Sequence, residues 1–143
     1  MSTPLLCLLA FAAWTLSLVV FGIGAIRVGK VLFANERVNA FPADKAHGGP
    51  AYRRLLRAHL NCVENLPVFG AVVVIAELIA VHGTLMDRLA VIYVAARLCQ
   101  TIAHISSGRS LVINVRFSFF LVQLTCVIWM MGLLLGQANA SMV

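Results

Sequence analysis

Four long apolar stretches, separated by polar segments, dominate the pattern of hydrophobic and polar positions along this chain. The first covers residues 5–26 without a single charge, which corresponds to about 33 Å of α-helix and is enough to cross the hydrocarbon core of a membrane. The other three carry few ionisable residues, chiefly Glu77, Arg97 and Arg116. We therefore predict an all-α fold, an integral membrane four-helix transmembrane bundle, with spans at residues 5–27, 55–81, 88–106 and 112–136.

A cleaved signal peptide is the alternative interpretation of the first stretch. Residues 1–4 carry no Lys or Arg, and the apolar run is longer than the core of a signal peptide, so we interpret it as a membrane span. Four spans place both termini on the same side of the membrane. We expect one four-span domain over residues 1–143, because no linker, repeat or low-complexity tract divides the chain.

Composition and charge narrow the class of protein further. Hydrophobic residues make up 62% of the chain and charged residues only 11%, which excludes an ordinary soluble globule and a disordered chain. Nine of the eleven Lys and Arg residues lie in or beside the first and third loops. This bias predicts that these two loops are cytoplasmic and that both termini lie on the opposite side. Membrane topology thus explains the basic excess, and no aromatic-interleaved basic patch indicates nucleic acid.

Two groups of polar residues share a helical face within the predicted spans. Their spacings are i, i+4, i+7 and i, i+3, i+7, so each group falls within about 60° of arc. Because spans one and three end on the cytoplasmic side and spans two and four begin there, the groups converge near one interface. Ionisable side chains inside spans are costly and indicate a functional site. The set consists of Arg57, Asn61 and Glu64, then Arg97, Gln100 and His104, with Arg27 and Arg116 beside them.

The depths of two of these residues predict a structural contact. Arg97 lies about two turns deeper than the others and Glu64 about one turn inward, so we expect a Glu64–Arg97 ion pair that braces the site. Individually, Arg27 and Arg57 could snorkel from helix ends, and Asn61 and Glu64 could join helices by hydrogen bonds. Together the residues favour a basic polar pocket with one acid, suited to a small anionic ligand that also carries an ammonium group.

The four cysteines form no recognisable site in the sequence. Cys7, Cys62, Cys99 and Cys126 are scattered without a CxxC spacing, which indicates neither a zinc site nor a disulfide framework. No P-loop or HExxH sequence occurs. We therefore predict a protein without a metal.

The second span contains a segment that resembles a family motif. Arg57-Ala58-His59-Leu60-Asn61-Cys62-Val63-Glu64-Asn65 is similar to the RAHxNxxEN segment of the MAPEG family, the membrane-associated proteins in eicosanoid and glutathione metabolism. The similarity extends over roughly residues 27–125 and is closest to the microsomal glutathione transferase branch and its bacterial relatives. Its other elements are Phe33-Ala34-Asn35, His47-Gly48-Gly49-Pro50, Ala96-Arg97, Thr101-Ile102-Ala103 and, after Arg116, Ser118-Phe119-Phe120.

This resemblance implies a homotrimer that binds glutathione, as a cosubstrate, between neighbouring subunits near the cytoplasmic side. Three positions depart from the branch: Cys62 replaces the usual Asp, Gln100 replaces a common His, and His104 replaces a common Tyr. Carried over by position, Arg116 would be catalytic, and the glutathione-binding residues would be Arg27, Arg57, Asn61, Glu64, Gln100 and His104.

The implied activity is that of a membrane-bound glutathione transferase or peroxidase. A thiol with a pKa of about 8.5 is mostly protonated at neutral pH, whereas the thiolate is the nucleophile, so Arg116 would favour the reactive form. The implied partners are glutathione, the lipid bilayer and a hydrophobic electrophile or lipid hydroperoxide, and the expected location is a bacterial inner membrane. A non-catalytic member that binds glutathione or a lipid is the alternative. A small drug/proton antiporter is disfavoured, because the first span has no acidic residue.

Overall fold

Four membrane-length helices make up most of the described part of the chain, which comprises residues 1–34, 37, 48–106 and 110–140 of a computed structural model. The helices that are long and apolar enough to cross a membrane are Thr3–Phe33, Pro50–Leu78, Thr84–Ser106 and Leu111–Gln137. Large apolar side chains such as Phe21 and Trp129 are exposed on their outer faces, as expected of surfaces that contact lipid. The predicted all-α membrane fold with four spans is therefore confirmed.

The first span is one helix with a widened middle. Helix α1 (Thr3–Ser17) continues through a π-helical segment (Leu18–Gly24) into helix α2 (Ala25–Phe33), which extends beyond the predicted end at residue 27. A β-carbon on Gly24 would lie 2.8 Å from the carbonyl oxygen of Val19, so glycine permits this close approach. A π-helical turn shifts the face that follows it, and the segment thereby sets the direction in which the side chains of α2 point.

Helix α3 (Pro50–Leu78) ends three residues before the predicted boundary at residue 81. Ala80 adopts a left-handed conformation with φ of 53°. Its N–H donates to the carbonyl of Glu77 at 3.2 Å, and the N–H of Val81 donates to the carbonyl of Ala76 at 2.8 Å. This pair of bonds is a Schellman motif, which terminates a helix even where the apolar sequence continues.

Helices α4 (Thr84–Ser106) and α5 (Ser110–Ala140) complete the bundle. Asp87 lies in the first turn of α4, where a carboxylate is stabilised by the helix dipole, and the helix begins before the predicted residue 88. At its other end, Arg54 Nε of α3 donates to the carbonyl oxygen of Ile105 at 3.1 Å. Helix α5 packs mainly against α4, so α4 contacts all three other spans.

Three buried aromatic rings hold α1, α3 and α4 together. Phe69 and Tyr93 stack with their centroids 4.2 Å apart, and the ring of Phe11 lies about 6 Å from both. All three side chains are almost fully buried, and such aromatic pairs stabilise a fold beyond the area that they bury. This cluster lies about two to three helical turns from Asn61 and His104 along α3 and α4.

Candidate functional site

His104 connects three helices at the end of α4. Its Nε2 lies 3.4 Å from Nδ2 of Asn61 on α3, and its Nδ1 lies 3.0 Å from Nη1 of Arg116 on α5. The sequence placed these three residues at one depth on different spans, and the structure brings them into direct contact. His104 is half-buried, so the junction is reachable from the interfacial end of the bundle.

The contacts of His104 present it with two donors. The guanidinium of Arg116 can only donate, and Asn61 presents its amide nitrogen, whereas a neutral imidazole has a single acceptor nitrogen. Rotating the Asn61 amide would satisfy His104 but would turn that nitrogen toward Nη1 of Arg97, which contacts Asn61 Oδ1 at 3.5 Å. The Asn61 contact is the longer of the two and is therefore the poorly matched one, whereas Arg116 bonds to His104 through Nη1 alone, so the other N–H groups of its guanidinium can bind an anion.

Gln100 lies behind Arg116 and is only 4% exposed. Its Nε2 donates to the backbone carbonyl of Arg116 at 2.9 Å, while its Oε1 accepts from Arg97 Nη1 at 2.8 Å and from Gln123 Nε2 at 3.2 Å. These bonds occupy both lone pairs of the side-chain oxygen. Within the chain, Gln100 fixes the position of Arg116 and does not face an open surface.

The predicted Glu64–Arg97 ion pair is not formed within the chain. Arg97 is 1% exposed, and its described hydrogen bonds go to Gln100 and Asn61. Its guanidinium carbon lies 5.7 Å from the centre of the Phe11 ring, so the side chain points into the bundle. Glu64 points outward and is exposed. The helical spacing places Glu64 on the same face of α3 as Asn61. In the structure, the part of that face that contacts Arg97 of α4 carries Asn61.

Gln123 extends the polar network into α5, a role that sequence reasoning missed. Its side chain is 1% exposed, and Nε2 also donates to the carbonyl of Phe119 at 2.9 Å. The only signal was an amide inside an apolar span, which by itself does not reveal its partners. Gln123 also lines a cavity of about 60 Å³ between α3, α4 and α5, with Asn65 and Tyr93 among the other lining residues.

Arg27 is held by a residue that the sequence did not single out. Its Nε donates to the hydroxyl oxygen of Tyr52 at 2.7 Å, and its guanidinium lies 6.0 Å from the centre of the same ring. Gly48, with φ of +76°, lies against this ring, since a β-carbon there would be 2.6 Å from Tyr52 Cδ1. The turn before α3 thus seats Tyr52, which joins α3 to α2.

Arg57 and Glu64 are exposed on the surface of α3. The structure therefore does not bring them into the network of Asn61, and their part in a glutathione site stays a prediction. Several residues of the sequence argument lie outside the described residues, namely Asn35, Lys45, His47 and Arg109.

Cys62 takes part in a buried hydrogen-bond chain. The hydroxyl of Thr101 donates to the carbonyl of Arg97 at 2.9 Å, so the Cys62 thiol, 3.5 Å from the same hydroxyl oxygen, is the donor in their contact. The four cysteines are free. Among the residues that the structure describes, no group of three His, Cys, Asp or Glu side chains is placed to hold a metal ion.

The comparison with protein families covers the residues of this site. The profile of the MAPEG family matches residues 4–136, which is nearly the whole chain and includes all four helices that could span a membrane. A comparison with curated protein sequences found no match. The order of the four spans and the contact of Asn61, His104 and Arg116 lie within the matched region. The chain therefore belongs to the MAPEG family.

Proposed function

We propose that this protein is a membrane-bound glutathione transferase or peroxidase. The MAPEG family includes enzymes of both kinds, as well as members that are not transferases. The observation that carries the proposal is the junction of Asn61, His104 and Arg116, where an arginine that His104 holds by a single nitrogen lies at the end of a membrane bundle. Such an arginine is suited to bind the sulfur of glutathione as a thiolate.

Arg116 has a role that follows from elementary acid–base chemistry. Lowering the pKa of a thiol by about two units requires about 2.7 kcal/mol of preferential anion stabilisation, which one guanidinium can supply in a poorly hydrated site. Gln100 holds the backbone of Arg116, and His104 holds its side chain. In this proposal, Gln100 is a positioning residue, while His104 lies beside the thiolate.

The remaining ligand residues match the charges of glutathione. Arg27 and Arg57 would bind its carboxylates, Glu64 its ammonium group and Asn61 its peptide backbone. Bidentate arginine–carboxylate pairs suit this recognition and are strongest away from bulk water. Arg57 and Glu64 are exposed in the single chain, and charged groups that face lipid are costly. A neighbouring copy would cover them, which supports a site between the subunits of a homotrimer.

The apolar substrate would approach through the membrane. A groove of about 540 Å³ between α3 and α5 has an entirely apolar lining, from Pro67 and Val68 to Leu135, and Val68 also lines the small cavity beside Gln123. In a transferase step, the thiolate attacks an electrophilic carbon, a thioether forms and the leaving group departs with the bonding electrons. In a peroxidase step, the thiolate attacks the terminal oxygen of the hydroperoxide, which forms the sulfenic acid of glutathione and releases an alkoxide that takes up a proton. A second glutathione then converts the sulfenic acid to the disulfide and water.

Arg116→Ala tests the assignment of the catalytic arginine. We expect kcat/KM to fall about 25-fold at neutral pH, because a rise of the thiol pKa from about 6.5 to about 8.5 lowers the thiolate fraction at pH 7 from about three quarters to about 3%, while glutathione still binds through the other ligand residues. Turnover is measured with an aryl halide and with a hydroperoxide, and the dissociation constant of glutathione is measured by calorimetry on the detergent-solubilised protein.

Arg88→Ala is the matched control for this experiment. Arg88 is exposed near the start of α4, at the opposite end of that helix from His104, so its removal should leave turnover unchanged. Equal turnover of Arg116→Ala and the wild type would contradict the role of Arg116. Binding of glutathione without turnover in the wild type would instead favour the non-catalytic alternative.

A further inference from the structure

Arg97 is a buried cation for which the proposed mechanism has no use. It is the largest of the fully buried side chains and is 1% exposed. Its Nη1 contacts the neutral amide oxygens of Gln100 and Asn61, whereas Nε and Nη2 have no hydrogen-bond partner among the described residues. A buried guanidinium with unsatisfied donors is costly, so its position in the bundle calls for a compensating role.

None of the described carboxylates forms an ion pair with Arg97 within the chain. Glu64 is exposed on the outer side of α3. Glu77 accepts a hydrogen bond from the Ser2 hydroxyl at the end of the bundle where α1 begins, and Asp87 lies ten residues earlier on α4, which is about 15 Å of helix. Among the described residues, Arg97 is therefore paired with no carboxylate, and its neighbours are the amide oxygens of Gln100 and Asn61, the face of the Phe11 ring and the hydroxyl of Tyr93.

An uncompensated buried charge acts over a longer distance than an exposed one, because little solvent screens it. Arg97 is linked to two residues of the proposed thiolate site through one intermediate residue in each case. The amide of Asn61 alone separates it from His104, and Gln100 alone separates it from the backbone of Arg116. A cation in this position favours an anion beside Arg116 without touching it.

The residue at position 62 is a thiol and does not neutralise the positive charge of Arg97. Cys62 is fully buried and lies near enough to Arg97 for the guanidinium to act on it electrostatically. It donates a neutral hydrogen bond to Thr101, whose hydroxyl in turn binds the carbonyl of Arg97. A carboxylate in place of this thiol would lie beside Arg97 and would cancel its field at the site.

We propose that Arg97 acts from a distance, together with Arg116, to lower the pKa of the glutathione thiol. In this proposal the charge of Arg97 stays uncompensated because residue 62 is a neutral cysteine. The inference rests on the proposed function and assigns a second source of thiolate stabilisation to the same site. A unit charge at about 10 Å in a medium of effective dielectric constant about 20 changes the ratio of thiolate to thiol about tenfold.

The matched substitutions Cys62→Asp and Cys62→Asn test the inference, because they differ in charge but hardly in shape. The ultraviolet absorbance of bound thiolate is titrated against pH at saturating glutathione. We expect Cys62→Asp to shift the titration midpoint upward by about one unit relative to Cys62→Asn. The other charged and titratable groups at this end of the bundle are unchanged in the pair, namely Arg27, Arg57, Glu64, His104 and Arg116.

The thermal midpoints of both variants are recorded in parallel. A carboxylate that pairs with Arg97 should leave Cys62→Asp at least as stable as Cys62→Asn, a readout that does not depend on glutathione. If Cys62→Asp does not fold, Arg97→Gln replaces it, and its titration midpoint should rise above that of the wild type.

Equal midpoints for the two Cys62 variants overturn the inference and leave the proposed function standing. In the replacement experiment, an Arg97→Gln midpoint equal to that of the wild type overturns it in the same way. Absence of thiolate absorbance from the wild type overturns the proposed function, and the inference with it.

Discussion

Single hydrogen-bond donors decide how the candidate site is organised. Arg116 is the strongest donor at the junction, yet its partner His104 also faces the amide nitrogen of Asn61. A neutral imidazole cannot accept from both, so the longer Asn61 contact is the weaker one, and the remaining N–H groups of Arg116 can bind an incoming anion while Nη1 stays on the ring. Arg27 is in a different situation, because the hydroxyl of Tyr52 accepts from its Nε at 2.7 Å and thereby fixes the direction of its guanidinium.

Tyr52→Phe isolates the contribution of that hydroxyl. We expect glutathione to bind about three- to tenfold more weakly, which corresponds to the loss of one ordinary hydrogen bond of about 1 kcal/mol, while kcat at saturating glutathione stays unchanged because Arg116 is untouched. Calorimetry gives the dissociation constants, and steady-state kinetics separate KM from kcat.

Arg27→Ala is the reference for this substitution. In that background the additional Tyr52→Phe change should have no further effect, since the hydroxyl acts through Arg27. Independent, additive losses of affinity would contradict the positioning role of Tyr52.

Helix ends and interruptions explain how elements bring these residues together. The π-helical segment Leu18–Gly24 precedes α2 and sets the direction of Arg27. Arg54 ties the start of α3 to the end of α4, which keeps Asn61 and His104 at the same depth. At the opposite end, α3 closes with Ala80 in a left-handed conformation, which is unfavourable for any residue with a β-carbon.

Ala80→Gly should stabilise the protein, because glycine adopts the left-handed conformation without strain. We expect a gain of about 1 kcal/mol in the free energy of unfolding, measured as a higher thermal midpoint in detergent. Ala71→Gly is the matched control within α3, where Ala71 is exposed, and should destabilise by a similar amount. A loss of stability in Ala80→Gly would show that the Schellman motif does not form.

Helical periodicity and membrane depth were sufficient to predict the four spans and the convergence of Asn61, His104 and Arg116. They did not identify Tyr52 as a site residue, because an aromatic residue next to basic residues at the start of a helix forms no distinctive sequence pattern. Periodicity also did not give the contacts of Arg97 within the chain, since a helical wheel shows which residues share a face but not which neighbouring helix meets that face. The partner of Arg97 depends on the packing of α4 against Phe11 and Asn61, and packing of this kind is not encoded in a single helix.

The whole molecule divides into an apolar body and one basic end. Its outer faces carry exposed large apolar residues, and nine of the eleven basic residues lie in or beside the first and third loops. This asymmetry supports the proposed orientation, in which these loops face the cytoplasm and the glutathione site opens toward it. The absence of acidic residues in the first span distinguishes the chain from proton-coupled exporters with four spans.

Ala51→Cys and His82→Cys test this orientation, because both residues are exposed and lie at opposite ends of α3. A membrane-impermeant maleimide should label Ala51→Cys in inverted inner-membrane vesicles and His82→Cys in spheroplasts, with mass spectrometry as the readout. The wild type, which keeps its four native cysteines, is the control for background labelling. The reverse pattern would contradict the proposed topology.

Thiolate formation is the most direct measurement of what this site does. Glutathione is added to the detergent-solubilised wild-type protein at neutral pH, and the ultraviolet difference spectrum is recorded against glutathione and protein alone. We predict a thiolate band that saturates with glutathione, since a bound thiol whose pKa is lowered by about two units is largely ionised at pH 7. Saturable binding of glutathione with no thiolate band would contradict the central claim that this membrane bundle activates the thiol.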